Sequence, residues 1–520
     1  MASKRQEKGV APQSGGSDRC RGGGGTLPER PASTDAGRAS AAGSAADSVA
    51  DPGRRRVLKG SAALAAGLGL GLGAADDPAA GAQGGGQSAG TASASGPSSS
   101  GFVWRPPSTF ARQAEVPGFS GSARVVVVGG GWSGLEVARQ LKALKPDLEV
   151  VLIEKRATFF SCPLSNLWLV DRITLDVLTH SYNDAARNNG YAWLQAAVVD
   201  VDRERRVVWT DEGWLTYDWL VLAPGIDYDY APFGVVDPGD VQRLQAHYPA
   251  AFKPGSEHLT LKRKLEAFDA GVFVLTAPPG NYRCLPAPYE RACMIAAYLK
   301  ENDIEGKVVL LDPRPEPGFQ PDGIRKAFRD LYEGWLEYVP NAQITGIDVD
   351  RRRIETNLGA IEFADAAIYP PVRGAKLLER LGISDPANHH FAAIDPITYH
   401  VKGDDRVLVG GDARPMPFVK AGFAANYEAA HIARIITGRM EGRDTEPLKS
   451  PGIMCYVAVN AYPLQSIAFK ITFGWEFDRD KGGTRFVQKA QAFPKRSRAL
   501  GKANIRWGQG MFQEMFYTPL

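Results

Sequence analysis

The first sustained hydrophobic pattern in the chain is Ala123-Arg124-Val125-Val126-Val127-Val128, a β-branched run without alternation, which reads as a strand buried on both faces of a parallel sheet. A glycine-rich turn, Gly129 to Gly134, follows at once. Apolar positions then fall at helical spacing from Leu135 to Leu144, and a second strand is predicted over Glu149 to Ile153. Comparable apolar runs return at Trp219 to Leu222, Gly271 to Thr276, Lys307 to Leu311 and Arg406 to Val409. Strands interleaved with helical patterns predict an α/β fold built on parallel sheets.

Before residue 123 the pattern differs. Ser61 to Ala75 is an uncharged run of Ala, Leu and Gly directly behind Arg54-Arg55-Arg56-Val57-Leu58-Lys59. It is too short and too weakly apolar to cross a bilayer core of about 30 Å. It reads as a twin-arginine signal, the export route for proteins already folded around a cofactor, with Ala80-Gly81-Ala82 or Gly73-Ala74-Ala75 as cleavage sites. A leader is therefore expected over 1–82 and a disordered Gly/Ser/Pro linker over 83–120, which places the mature protein in the periplasm. A disordered basic tail is the other reading of the leader.

Composition sharpens this picture. The 520 residues hold 61 Lys and Arg against 58 Asp and Glu, a net charge of +3, and residues 1–82 carry 11 basic and 8 acidic side chains, so the remainder is balanced. A balanced body argues against nucleic-acid binding, which needs a basic surface to displace counterions from phosphates. The five cysteines, Cys20, Cys162, Cys284, Cys293 and Cys455, are too few for a disulfide scaffold, and none lies in a C-x-x-C or C-x-x-C-H spacing. Any haem that serves this protein sits on another chain. The histidines, including the His389-His390 pair, lack metal-ligand spacing, so no metal is expected.

The Gly129-Gly130-Gly131-Trp132-Ser133-Gly134 turn, set between a strand and a helix, is a dinucleotide fingerprint in its required context. Gly129 permits the tight turn, Gly131 lets backbone approach a pyrophosphate, and Gly134 lets the helix pack closely. Glu154, about 20 residues on, can accept from ribose hydroxyls. Two later segments, Thr216 to Gly225 and Arg406 to Asp412, look like the strand-and-turn and late Gly-Asp elements of two-dinucleotide-binding-domain flavoproteins. By that likeness Gly225, Asp412 and Lys420 join the cofactor-binding set and the cofactor is FAD; a helix N-cap is the other reading of Asp412. Such proteins usually insert a second Rossmann unit for NAD(P)H. Here the strands at Gly271 to Thr276 and Lys307 to Leu311 are present, but Ala277-Pro278-Pro279-Gly280-Asn281-Tyr282-Arg283-Cys284 lies between them. Prolines remove donors that a pyrophosphate needs and no glycine fingerprint remains, so no NAD(P)H is expected.

The cysteine segments are Phe159-Phe160-Ser161-Cys162-Pro163-Leu164-Ser165-Asn166, Cys284-Leu285-Pro286-Ala287-Pro288-Tyr289-Glu290-Arg291-Ala292, and Cys455-Tyr456 near the C-terminus. With these, residues 122–520, including the Met416-Pro417 to Asn426 stretch, resemble the flavoprotein subunit of flavocytochrome c sulfide dehydrogenase, a relative of sulfide:quinone oxidoreductases. The resemblance implies a fold of two Rossmann-like domains, the FAD domain being discontinuous over 122–232 and 345–440, the second spanning 233–344, with a C-terminal α+β interface domain over 445–520. It implies FAD bound through a thioether at Cys162, a redox-active disulfide between Cys284 and Cys455, and Glu290 as an acid/base.

Chemistry alone is consistent with those assignments. A helix N-terminus favours a thiolate, and Cys284 is expected to benefit. Hydrosulfide can open a disulfide as any thiolate does, and a buried Glu290 can handle the proton. Each residue also has a plainer reading: a core thiol or structural disulfide for Cys284 and Cys455, a free thiol beside noncovalent FAD for Cys162, and a first-turn helix stabiliser for Glu290. Cys293, on the inward spacing of its helix, reads as core. The expected function is a periplasmic sulfide dehydrogenase that yields sulfur or polysulfide and passes electrons to a c-type cytochrome subunit. The alternatives are a sulfide:quinone oxidoreductase, which alone would need membrane contact, and a noncatalytic flavoprotein electron carrier.

Overall fold

The computed structural model describes residues 115, 123–415, 419–444, 446–450, 452–478 and 482–519. The leader, most of the linker and Met416-Pro417 lie outside the described residues. The ordered chain opens on β1 (Arg124–Val128), passes through α1 (Trp132–Leu144) to β2 (Glu149–Ile153), and continues past α2 (Ser165–Leu169) to β3 (Ala192–Leu194) and β4 (Trp219–Leu222). β1 is the centre of a parallel sheet. It pairs with β2 on one side, Val127 opposite Leu152, and with β4 on the other, Val127 opposite Val221. All five residues of β1 are buried, as a run without polar alternation requires.

The chain then leaves this sheet and builds a second one from β5 (Ala270–Thr276), the long buried helix α3 (Ala287–Glu301), β6 (Glu305–Leu311), β7 (Leu336–Val339) and β8 (Asp365–Ala367). The order is β7-β6-β5-β8, with every neighbour parallel. It returns to the first sheet as β9 (Asp404–Val409), which lies parallel to β4, and continues into α4 (Gly422–Met440), packed on α1. The expected discontinuous α/β architecture is therefore observed.

The crossings between sheets lie elsewhere than expected. Ile226–Tyr228 and Val372–Gly374 pair antiparallel where the chain leaves and re-enters, and β8 pairs with β5 in register at Phe273 and Asp365. The second sheet thus takes its last strand from as late as residue 367, and a separate three-stranded antiparallel sheet over 344–362 lies between β7 and β8 in the chain. Three-residue strands carry too little periodicity to mark such a crossing in sequence.

The C-terminal region is an antiparallel sheet of β10 (Ile453–Ala461), β11 (Leu464–Asp478) and β12 (Gly483–Ser497), against which α5 (Arg498–Phe512) packs. β10 lies against α3, which brings the third cysteine segment to the helix that follows the second. Among the described residues no helix is long and apolar enough to cross a membrane.

Candidate active site

The turn between β1 and α1 is built as the fingerprint requires. Gly129 has φ +101°, and a Cβ there would lie 2.4 Å from the Ala223 carbonyl oxygen. A Cβ on Gly134 would come within 1.8 Å of the Gly129 oxygen, so only glycine lets α1 start this close to β1. A Cβ on Gly131 would meet nothing within 4 Å, which leaves the backbone open on the side a pyrophosphate would use. Gly225, at φ +78°, is open in the same way. Glu154 accepts from Gly130 N at 2.8 Å and from Arg156 N at 3.0 Å, so it braces the turn. Tyr182 closes the turn's other face by donating to the Gly130 carbonyl at 2.8 Å. No spacing rule flags that tyrosine.

Asp412 sits in a short turn, Gly411–Ala413, after β9. It caps no helix: α4 begins after Ala421, and Asp412 Oδ2 pairs instead with Arg283 Nε at 3.0 Å, which overturns the N-cap reading. Its Oδ1 is buried without a hydrogen-bond partner, as is Ser133 Oγ in the fingerprint turn. A Cβ on Gly411 would lie 2.9 Å from Ser133 Cβ, so the two orphaned groups come from segments in contact. Buried polar atoms left unpaired between glycine turns are what a polar ligand would satisfy, and this donor set fits FAD. Lys420 Nζ is buried and donates to the carbonyls of Asp412 at 3.0 Å and Arg414 at 2.6 Å. Burial pulls its ammonium down to about 7.

The cysteine segments meet beside Asp412. Cys162 Sγ lies 3.5 Å from the Phe252 carbonyl, which also accepts from Arg283 Nη1 at 2.8 Å. Cys284 follows Arg283, and its backbone N–H donates to the Lys420 carbonyl at 2.7 Å. Cys284 lies within electrostatic reach of both Cys162 and Cys455. All three are free thiols, and no Cys284–Cys455 bond is formed.

The local backbone explains one failed expectation. Cys284 holds a left-handed φ of 61° and precedes the α3 N-cap, Pro286, by two residues, and its own carbonyl accepts from the first helical N–H, that of Ala287, at 2.9 Å. Burial, followed by the Glu290 charge, pushes its thiol up to about 12, against the lowering expected from a helix N-terminus. Burial likewise raises Cys162 and Cys455.

Glu290 is in the first turn of α3, 8% exposed, and lies close enough to the Ala458 backbone in β10 and the Asn166 side chain at the start of α2 for both to favour its charged form. It therefore lies beside the elements that carry Cys162 and Cys455. Burial raises its carboxyl to about 8. Its neighbour Arg291, quoted in the motif but given no role from sequence, donates to Asn166 Oδ1 at 3.0 Å and to the Ala251 carbonyl at 2.9 Å, and also bonds the Ala250 carbonyl. Cys293 is fully buried in the core, as its spacing indicates. The described residues hold no cluster that could bind a metal ion.

In the second sheet the end of β6 is tied to the proline loop after β5. Asp312, just past the end of β6, is fully buried; its Oδ2 accepts from Tyr289 at 2.6 Å and Tyr338 at 3.1 Å, and its Oδ1 from Arg314 N at 2.9 Å. Arg314 Nη1 donates to the Pro278 carbonyl at 3.0 Å and Nη2 bonds that of Gly280, so the guanidinium fastens the proline loop.

Comparison with known proteins places this geometry. Residues 258–369 match a family model described as the central part of the sulfide dehydrogenase [flavocytochrome c] flavoprotein chain, and residues 123–245 match that of pyridine nucleotide-disulphide oxidoreductases. The chain is 48% identical over 46 residues to the sulfide dehydrogenase [flavocytochrome c] flavoprotein chain of Chlorobaculum thiosulfatiphilum, covering 9% of this chain and 96% of that sequence. It is 25% identical over 280 residues to the sulfide-quinone reductase of Aquifex aeolicus, covering 51% of this chain and 62% of that protein's length. The solved sulfide:quinone oxidoreductase of Aquifex aeolicus superposes with a TM-score of 0.61 at 17% identity, over 76% of this chain and 92% of that one, and so shares the fold.

Proposed function

The chain belongs to the family of flavoproteins that holds the sulfide:quinone reductases and the flavocytochrome c sulfide dehydrogenases, and from that footing we propose that it is an FAD-dependent sulfide dehydrogenase serving a c-type cytochrome subunit. The observation that carries this reading is the convergence of the half-buried Cys162, Cys284 and Cys455 near the first turn of α3, with the buried Glu290 close to the strand and the helix start on either side. FAD would be held by the Gly129 to Gly134 turn, Glu154, Gly225, Asp412 and Lys420, and attached at Cys162. When bound, it supplies a two-electron acceptor that can pass electrons on singly.

Cys284 and Cys455 would alternate between a disulfide and a persulfide–thiolate pair. Hydrosulfide adds to one sulfur of the oxidised pair, the S–S bond breaks, and a persulfide and a thiolate result. Re-forming the disulfide releases zero-valent sulfur, one proton and two electrons, which balances the oxidation of HS⁻. Glu290, held near neutrality by burial, takes the proton when ionised. The shielded Asp312 and the fastened loop at Pro278 support sulfide rather than NAD(P)H as reductant. A periplasmic location follows from the arginine pair and apolar run of the leader. The sulfide-quinone reductase relative favours quinone as the second reading of the acceptor.

The test offers anaerobic holoprotein sulfide and NADH in turn while flavin absorbance is followed. Sulfide is expected to bleach the flavin and NADH to leave it oxidised. Bleaching by NADH with none by sulfide would overturn the proposal.

A further inference from the structure

The C-terminal helix α5 has a charge pattern that its own stability does not explain. From Gly483 to Phe512 the chain carries seven Lys and Arg and no Asp or Glu, within a body whose charges balance only when this segment is counted in. Three of the seven find carboxylates: Arg485 with Asp478, Lys489 with Glu476 and Arg496 with Asp330. The other four, Lys495, Arg498, Lys502 and Arg506, are exposed and make no ion pair among the described residues. Arg498, Lys502 and Arg506 recur every four residues, which places them on one stripe of the helix. Arg498 stands in the first turn, where the helix dipole disfavours a cation, and no acid lies three or four residues away within the helix to compensate.

The opposite face of α5 rests on the active site. Trp507 stacks on Trp132 of the fingerprint turn, with ring centroids 6.2 Å apart and planes 7° apart, and Phe512 lies 5.7 Å from the same ring. A Cβ on Gly508 would come within 2.4 Å of Leu164 Cδ1, so the helix lies flush on the Cys162 segment. A body docked on the outer face would be separated from Trp132 by about one helix diameter, roughly 10–12 Å.

We propose that the Arg498, Lys502 and Arg506 stripe on α5, with Lys495 just before it near the end of β12, is the docking surface for the acidic face of a one-electron carrier protein. This rests on the sulfide dehydrogenase reading, because the carrier is the oxidant: each docking removes one electron, and two dockings balance one sulfide. Charge complementarity selects an acidic protein. An interfacial membrane helix would turn apolar side chains outward, whereas Trp507 and Phe512 are turned in and the outer stripe is cationic.

The test uses full-length holoprotein reduced by sulfide and mixed with an acidic c-type cytochrome. Wild type is expected to transfer electrons with a rate constant that falls as salt rises, and Arg498→Glu/Lys502→Glu/Arg506→Glu to be slower at low salt by about tenfold or more. Flavin bleaching by sulfide stays unchanged in the variant. The neutral set Arg498→Gln/Lys502→Gln/Arg506→Gln is expected to fall between the two, and serves if charge reversal prevents folding. A rate constant indifferent to both salt and substitution overturns the proposal. So does charge-dependent binding to phosphatidylglycerol vesicles together with unaltered cytochrome transfer, which would assign the stripe to a membrane. Co-sedimentation of oxidised protein with the cytochrome reads docking without sulfide, so failure of the sulfide reading remains distinguishable.

Discussion

At the scale of single residues, burial sets the chemistry. Glu290 holds its proton up to about 8, above an unfolded carboxyl at 4.5. Between those values the folded state retains a proton that the unfolded state has released, so this contribution is complete below the lower value and is lost as pH rises through the upper one. Glu290→Gln is therefore expected to flatten the decline of stability between them in urea melts across pH, leaving the slope from Glu428, which burial also raises to about 8. In the holoprotein, sulfide-driven bleaching is expected to show an inflection near 8 that disappears in Glu290→Gln, checked by stopped-flow absorbance across pH. For Cys162, acid precipitation is expected to leave the yellow chromophore with the protein, and Cys162→Ser to release it. The cysteines and Glu290 were legible because motifs mark residue types. Their ionisation was not, since the left-handed turn at Cys284 and the closure of β10 over α3 arise only on folding.

At the scale of elements, the glycine turn and α3 make separate demands. Gly131 has φ −77° and a Cβ there meets nothing, so Gly131→Ala is expected to leave apoprotein stability within about 0.5 kcal/mol while weakening FAD binding about tenfold or more. Thermal melts of the apoprotein and flavin titration separate the two effects. Arg291 joins α3 to α2 and to the 250–251 backbone through buried bonds, and Arg291→Ala strips partners from all of them. A loss of about 3 kcal/mol is expected in denaturant unfolding. Helices and long strands were legible from periodicity. The pairing of Ile226–Tyr228 with Val372–Gly374 was not, because its register is set by the two sheets that it connects.

At the scale of the whole molecule, the fold gives the flavin site two walls of different origin. β1, β4 and β9 deliver the glycine turn, Gly225 and Asp412 from one sheet, while the loop after β5 carries Cys284 in from the other. β10 closes the site with Cys455, and α5 carries it to the surface. The missing nicotinamide fingerprint was plain in sequence. The way its place is filled, by Arg314 across the proline loop and two tyrosines on Asp312, required three elements to come together. The most direct measurement is an anaerobic sulfide titration of the holoprotein beside Cys284→Ser and Cys455→Ser, following the flavin's visible band. Wild type should bleach with one sulfide per flavin and both variants should stay oxidised. Bleaching of both variants at the wild-type rate and stoichiometry would contradict a sulfide oxidation that runs through this pair of thiols.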